Sequence, residues 1–209
     1  MDNVDPTQES EVLSVGIVLF DDAEELDWAG PWEVFTTAGA QGAVRTVTIA
    51  ERDVVRNAKG LRVLPDHTLQ DAPDLDVIVV PGGQGTRTER DNDTLVGWLR
   101  DRGTEASWVT SVCTGALVLE AAGFLDGRRA TTHWAALDEL GHRSSVDVVR
   151  GERWVVDGNV VTAAGVSAGI DMALWLVGEL LGEDTGRATA LFMEYDPAPP
   201  FSIAGLRGW

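Results

Sequence analysis

Three short runs of almost wholly apolar residues, each leading into a turn and a helical pattern, constrain the fold of this chain most strongly. They occupy residues 12–20, 75–80 and 106–112 and are rich in β-branched side chains. A strand buried on both faces has this appearance, whereas a half-exposed strand alternates apolar and polar residues. Parallel strands need crossover connections, and the helical patterns between the runs can supply them. This order of segments predicts an α/β fold around a mainly parallel sheet.

The remaining segments follow the same alternation. Apolar residues spaced three or four apart indicate helices, and short β-branched runs between turns indicate strands. Helices are predicted at residues 94–102, 116–122, 134–140, 170–181 and 188–195, strands at 44–50, 128–132, 146–149, 153–156 and 160–162, and a hairpin at 54–64. The composition does not change along these segments. We therefore expect one domain over residues 12–201, between a disordered acidic tail at 1–11 and a C-terminal tail at 202–209.

A proline sets the expected start of the first helix. Leu26, Trp32 and Phe35 have helical spacing. Proline is tolerated in a helix mainly within the first turn. Because Pro31 lies inside the pattern, the helix is expected to begin near Gly30.

The excess of acidic side chains excludes several classes of partner. The 209 residues contain 34 Asp and Glu against 16 Lys and Arg, a formal net charge of −18. Such a surface repels nucleic-acid phosphates and anionic membranes, so we expect neither as a partner. Asp outnumbers Glu, and Lys59 is the only lysine. This composition favours a protein kept soluble in concentrated salt, from a halophilic source, with an ordinary acidic protein as the alternative.

The cysteine and histidine content limits the chemistry. Cys113 is the only cysteine, so an intramolecular disulfide and a CxxC motif are both impossible. His67, His133 and His142 lack metal-ligand spacing, and we expect no metal and no cofactor. Neither a signal-peptide core nor an apolar run near the roughly 20 residues of a membrane span is present, so we expect a cytoplasmic protein.

Cys113 is the strongest candidate for a chemically active side chain. It follows the apolar run at 106–112 and precedes Thr114, Gly115 and a helical pattern. This strand–turn–helix order is that of a nucleophile elbow. A helix N-terminus lowers the pKa of a nearby thiol, and its N–H groups can hold a developing anion. The alternative is that a lone cysteine serves as a small buried hydrophobe.

Further candidates lie where strands should end at the same edge of the sheet. An amide of Gly82 or Gly83 could complete an anion hole opposite Cys113, or the pair could form a plain glycine turn. Asp27 could be a proton donor whose pKa is raised by its surroundings, or a carboxylate that only stabilises a helix N-terminus. His133 could act as a general base or orient Cys113, or be a hydrogen-bonded structural side chain.

Several separated motifs together resemble the DJ-1/PfpI family. They are LDWAGPWEVF from residue 26, PGG at 81–83, SVCTG at 111–115, RATTHW at 129–134, AGID at 168–171 and YDPAPPF at 195–201. They occur in the family's order and cover nearly everything from residue 15 to 201. Within the family they are most similar to the isonitrile (isocyanide) hydratase group.

This resemblance implies a fold and a set of roles. The fold would be a flavodoxin-like three-layer sandwich with a nucleophile elbow. Cys113 would be the nucleophile, Asp27 its acidic partner, Thr114 a contributor of its amide and hydroxyl, and Gly83 an anion-hole amide. His133, from its position at a strand end, is a further candidate for contact with the substrate. Peptidase-like members carry histidine at the Thr114 position, and DJ-1 itself carries glutamate at the Asp27 position. Both departures favour the hydratase group.

The activity implied is that of a lyase acting on a small molecule. Thiolate Cys113 would attack the isonitrile carbon, and a thioimidate would be hydrolysed to an N-substituted formamide. One alternative is glyoxalase III-like conversion of 2-oxoaldehydes, using Cys113 with His133 and Asp27. Another is a non-enzymatic ligand or redox sensor whose thiol is oxidised to a sulfinate. A DNA-binding regulator is not expected, since only a short tail follows residue 201.

The family resemblance also implies a homodimer. The chain has eight tryptophans, a residue enriched in the cores of interfaces. Trp28, Trp32 or Trp175 could form part of such an interface, with ordinary core packing as the alternative.

Overall fold

The computed structural model describes residues 12–142 and 145–201, so the tails predicted at 1–11 and 202–209 lie outside the described residues. The strands are β1 (Leu13–Val18), β2 (Val44–Ala50), β3 (Val55–Arg56), β4 (Arg62–Val63), β5 (His67–Thr68), β6 (Val77–Val80), β7 (Trp108–Val112), β8 (Arg129–Ala130), β9 (Asp147–Val148), β10 (Trp154–Asp157) and β11 (Val160–Ala163). The α-helices are α1 (Glu25–Ala38), α2 (Thr86–Glu89), α3 (Asp93–Glu105), α4 (Gly115–Ala121), α5 (Leu137–Gly141), α6 (Ala168–Leu181) and α7 (Glu183–Phe192).

The central sheet has seven strands in the order β10-β11-β7-β6-β1-β2-β5. Every pairing in it is parallel except that of β10 with β11 at one edge. The three apolar runs became β1, β6 and β7, the central strands. Their side chains are buried because helices cover both faces. The predicted α/β fold around a mainly parallel sheet is confirmed.

The helices form two layers. α1, α6 and α7 contact one another on one face, while α4 contacts α2, α3 and α5 on the other. The resulting three-layer arrangement is flavodoxin-like. It places the carboxyl ends of β1, β6, β7 and β11 side by side, at the edge where parallel α/β sheets bind their ligands.

The predicted start of the first helix is wrong. α1 begins at Glu25, not near Gly30, and Pro31 is buried inside it. Acidic side chains at Glu25 and Asp27 favour the first turn, since they face the positive end of the helix dipole. Pro31 lacks an N–H group, but its ring packs toward α6, where a Cβ on Gly169 would come within 3.3 Å of Pro31 Cγ. Tertiary packing therefore offsets a residue that is unfavourable locally.

A small hairpin lies outside the main sheet. β3 and β4 pair antiparallel, with Val55 opposite Val63 and Arg56 opposite Arg62. The sequence predicted a hairpin at this position. The hairpin packs over the segment that leads into α1.

None of the helices in the described ranges combines the length and apolar character that crossing a bilayer demands.

Candidate active site

Cys113 occupies a sharp turn between β7 and α4. Its φ angle is +56°, in the left-handed region, which costs a residue with a Cβ about 1–2 kcal/mol. Two hydrogen bonds hold the strained residue. Its N–H donates to Ala163 O over 3.0 Å, and its carbonyl accepts from Thr132 Oγ1 at 2.7 Å. The thiol lies at the elbow, 7% exposed.

Asp27 lies in the first turn of α1 and is completely buried. Its Oδ2 accepts a hydrogen bond from the Gly82 N–H at 2.9 Å. Its Oδ1 has no hydrogen-bond partner among the described residues. The Cys113 side chain lies beside the carboxyl, since a Cβ on Gly82 would be 2.7 Å from Asp27 Oδ2 and 2.8 Å from Cys113 Cβ. The structure thus brings together the predicted nucleophile and the predicted acid.

Burial raises the pKa of Asp27 to about 7. The Gly82 N–H acts in the opposite direction because it stabilises the carboxylate, and the negative charge of Glu24 adds a smaller upward effect. A carboxyl with such a pKa can both accept and donate a proton at neutral pH.

The Cys113 thiol behaves differently from the sequence-based expectation. Burial, followed by repulsion from the Asp27 carboxylate, raises its pKa to about 12, although the Thr114 amide and hydroxyl lower it. The expected lowering by the helix N-terminus is outweighed, since α4 has only seven residues and the thiol is shielded from water. If Asp27 takes up the thiol proton, the repulsion disappears, so the two groups act as one proton-sharing pair.

Thr114 links the elbow to the neighbouring glycine loop. Its Oγ1 donates to Gly83 O at 3.1 Å and accepts from Gly83 N–H at 3.0 Å. The Gly83 amide, which the sequence suggested for an anion hole, is therefore engaged with the Thr114 hydroxyl. The backbone amide that reaches the Cys113 sulfur is that of Thr114.

Thr132 is a contributor to the site that the sequence did not indicate, and Gly82, which the sequence offered with Gly83 for an anion hole, binds Asp27 instead. A Cβ on Gly82 would lie 2.8 Å from Cys113 Cβ and 2.7 Å from Asp27 Oδ2, so only glycine lets the two functional groups approach each other. The sequence signal for Gly82 was the double glycine at positions 82 and 83. Thr132 carried no separate signal, since its hydroxyl reaches Cys113 O across 19 residues.

His133 lies next to Thr132 and is half-buried. Its Nδ1 accepts from the Ala135 N–H at 3.3 Å. Its ring lies close to the loop after β11, where a Cβ on Gly165 would come within 3.1 Å of His133 Cδ2. The structure places His133 beside the elbow and leaves its role a prediction.

No cluster of three or more His, Cys, Asp or Glu side chains in residues 12–142 and 145–201 could hold a metal ion.

Comparison with known proteins gives matches along almost the whole chain. A model of the DJ-1/PfpI family matches residues 13–179. An isonitrile hydratase from Pseudomonas putida is 42% identical over 191 residues, covering 90% of this chain and 81% of that protein. A glutathione-independent glyoxalase, DJR-1.2, from Caenorhabditis elegans is 27% identical over 169 residues, covering 78% of this chain and 86% of that protein.

A solved structure extends the match to three dimensions. It is a ThiJ/PfpI family protein from Pseudomonas syringae, with a TM-score of 0.87 and 31% identity. The alignment covers 99% of this chain and 86% of that one.

Proposed function

The chain belongs to the DJ-1/PfpI family, and on this premise we propose that it is an isonitrile hydratase-like lyase, which converts an isonitrile and water into an N-substituted formamide. The observation that carries the proposal is the proximity of the buried Asp27 carboxyl to Cys113, since Asp27 Oδ2 and Cys113 Cβ lie 2.7 and 2.8 Å from the Cβ position of Gly82. Hydration of an isonitrile requires a nucleophile and a proton donor at the same carbon, and this pair supplies both.

The first half of the reaction joins the sulfur to the substrate. Asp27 takes the Cys113 proton, and the thiolate attacks the terminal isonitrile carbon. Asp27 then delivers that proton to the same carbon, which leaves a thioimidate, Cys113–S–CH=N–R. No atom leaves in this step, since the thiol has added across the carbon.

The second half releases the product. A water adds to the thioimidate carbon, and Asp27 passes one proton of that water to the nitrogen, which gives the adduct Cys113–S–CH(OH)–NH–R. The adduct collapses as the C–S bond breaks. Asp27 transfers the hydroxyl proton to the Cys113 sulfur, and the formamide leaves. The sum is one isonitrile plus one water giving one formamide.

The neighbouring residues stabilise these steps in the proposal. Thr114 supports the thiolate through its backbone amide, and its hydroxyl can do so only when its proton leaves Gly83 O. Gly82 fixes the carboxyl by its N–H bond to Oδ2. Gly83 acts through the Thr114 hydroxyl that it binds, and as an anion-hole amide only if that bond opens. His133, which lies beside the elbow, contacts the bound substrate in this proposal.

The finer expectations about the whole protein are part of the same proposal. Residues 12–201 work as one domain with a small-molecule substrate. The protein acts as a homodimer, in a cytoplasm that keeps the single thiol reduced. Its charge of −18 suits concentrated salt, so association and activity should persist there.

Mass spectrometry of the protein mixed with a small isonitrile, with formamide release followed in parallel, tests the function. We expect a Cys113-linked adduct equal in mass to the added isonitrile, together with turnover. Cys113→Ala should remain folded, form no adduct and lose at least about 10³-fold in rate. Turnover by this variant within about tenfold of the wild-type rate would exclude the covalent mechanism.

The second candidate function is conversion of 2-oxoaldehydes, favoured by the similarity to the glyoxalase of C. elegans. It would use His133 as a base, so His133→Ala should then abolish methylglyoxal consumption. If the hydratase proposal holds, the same variant should retain isonitrile hydration within about tenfold, since Asp27 moves the proton.

A further inference from the structure

The only lysine of the chain lies beside the end of α1 that carries Asp27. Lys59 is at the turn of the β3–β4 hairpin, with its side chain 64% exposed. Its Nζ pairs with the Glu24 carboxylate and lies 3.9 Å from Glu25 Oε2. Its backbone N–H also donates to Glu25 Oε1 at 2.7 Å. All the other basic side chains of this acidic protein are arginines.

The hairpin that carries Lys59 is fixed to the start of α1 by buried contacts. Asn57 is 1% exposed, and its Oδ1 accepts from Trp28 Nε1 at 3.1 Å. The next residue, Ala58, donates its N–H to Ala23 O at 2.9 Å. Because these bonds tie the turn to α1, the position of the lysine relative to Asp27 is held by the fold and not by the ion pair alone.

The charges around Asp27 come from three elements. Glu24, at the start of α1, favours the protonated carboxyl, whereas Lys59, on the hairpin, favours the ionised one, and Cys113 contributes from the elbow. Glu25 has a buried Oε2 without a hydrogen-bond partner among the described residues, so Lys59 is the cation nearest to compensate it. Removing Lys59 would leave two carboxylates uncompensated within one helical turn of the proposed acid.

We propose that Lys59 is a positioning residue of the active site, which pairs with Glu24 and Glu25 at the start of α1 and thereby supplies the compensating positive charge beside the buried Asp27. The inference deepens the proposed function, on which its catalytic meaning rests. The pairing itself acts on the Asp27–Cys113 pair whatever the substrate is.

The test measures alkylation of Cys113 by iodoacetamide from pH 5 to 9, at low salt, by intact mass. Iodoacetamide is uncharged and reacts with the thiolate form of Cys113. The alkylation rate should rise once Asp27 has ionised, because Asp27 and Cys113 then share a single proton and Cys113 is a thiolate whenever Asp27 holds it. Lys59→Met should move the midpoint of this rise to higher pH by about 0.3–0.5 unit, the size expected of one partly screened charge. Glu24→Gln should move it to lower pH by a similar amount.

Two further variants serve as controls. Lys59→Arg retains the charge and should restore the wild-type midpoint. Arg187→Met removes a cation on α7, where Arg187 pairs with Glu183, and should leave the midpoint unchanged. Raising the salt to 1 M should shrink the shifts, because exposed charges are then screened within about 3 Å.

The outcomes separate this inference from the proposed function. If the Lys59→Met and Arg187→Met profiles coincide, or if Lys59→Met and Glu24→Gln move the midpoint in the same direction, the inference is overturned. If the opposite shifts appear but no isonitrile is hydrated, the role of Lys59 stands and the proposed function fails. If isonitrile is hydrated with no shift in any variant, the function stands and the role of Lys59 fails.

Discussion

The two sides of the elbow are held in place by different kinds of contact. On the acid side, residues 21–28, backbone bonds to neighbouring segments act together with the buried side-chain bond from Trp28 to Asn57. Glu24 N–H donates to Gly82 O at 2.9 Å, and Ala23 accepts from Ala58 of the hairpin. Ala23 and Gly83 also form an isolated antiparallel bridge. The carboxyl that this side presents, Asp27, is fully buried.

On the turn side, residues 164–167 between β11 and α6, exposed side chains add to a backbone bond from the Ala164 N–H to Arg153 O. Arg153 forms an ion pair with Asp171 in the first turn of α6 and reaches Ser167 Oγ at 3.4 Å. Tyr195 donates its hydroxyl to Asp171 Oδ1 at 2.9 Å. The Arg153 side chain is 43% exposed, so solvent and salt weaken this network.

The difference indicates a division of labour. Proton transfer tolerates little misplacement, and backbone bonds fix the acid side at the positions where the protons move. Exposed ion pairs contribute roughly 0–1 kcal/mol each, so the turn side can adjust at small cost. Changes on the acid side should therefore reduce the chemistry, and changes on the turn side should affect substrate binding.

The largest expected effect comes from removing the carboxyl on the acid side. Asp27→Asn should lower kcat/KM by about 10²–10⁴-fold, since it removes the group that accepts and returns the proton. In the wild type, kcat/KM should fall as the pH drops below about 7, because the reactive pair holds one proton and Asp27 takes up a second. Steady-state kinetics from pH 5 to 9 test both statements. A variant within tenfold of the wild type would remove Asp27 from the mechanism.

Asp27→Asn should lower activity but raise the free energy of unfolding at neutral and alkaline pH. The raised pKa of Asp27 means that the native state keeps a proton that the unfolded chain releases between about pH 4 and 7. Its contribution to the free energy of unfolding therefore falls across that range and is constant above it. Relative to the wild type, Asp27→Asn should be unchanged near pH 4 and more stable at pH 8 by up to about 4 kcal/mol, given the shift from 3.8 to about 7.

Urea unfolding of both proteins at pH 4.5 and pH 8 measures this difference. The asparagine retains an oxygen that can accept from the Gly82 N–H, so the comparison isolates the ionisation. Equal stabilities at pH 8 would mean that the buried carboxyl is not penalised by the fold.

The smallest effect is expected on the turn side. Tyr195→Phe removes the hydroxyl that binds Asp171 but leaves the Arg153 ion pair. We expect a loss of about 0.5–1.5 kcal/mol in stability and a change of less than about threefold in KM, with kcat unchanged. Thermal unfolding and steady-state kinetics measure these quantities. A fall in kcat of tenfold or more would show that the turn side takes part in the chemistry, and the division between the two sides would be lost.

The sequence alone was sufficient for the architecture and for the two main candidates of the site. A run of apolar, β-branched residues can be buried on both faces of a sheet. The runs therefore predicted β1, β6 and β7 without any knowledge of where the helices pack. The segment at 106–115 predicted the elbow, because a strand pattern that leads directly through a cysteine into a helical pattern requires a sharp turn at the cysteine. Asp27 followed from its position after the first strand, although its role stays a prediction.

Errors arose where long-range contacts outweigh local preference. Pro31 lies inside α1 since packing against α6 offsets its local cost. The pKa of Cys113 is raised, not lowered, because burial outweighs the effect of a short helix. Gly83 was expected to offer a free amide, and its amide is bonded to a hydroxyl 31 residues away.

What the sequence determined by itself was therefore the pattern that each segment carries within about ten residues: buried strands, helical faces and a sharp turn with a cysteine. The tertiary structure alone decided which groups meet. Gly82 reaches Asp27 across 55 positions, and Lys59 reaches Glu24 across 35. The physical reason is that ionisation and hydrogen bonding at the site depend on burial and on charges a few ångströms away, and those neighbours come from segments whose proximity only the folded sheet creates.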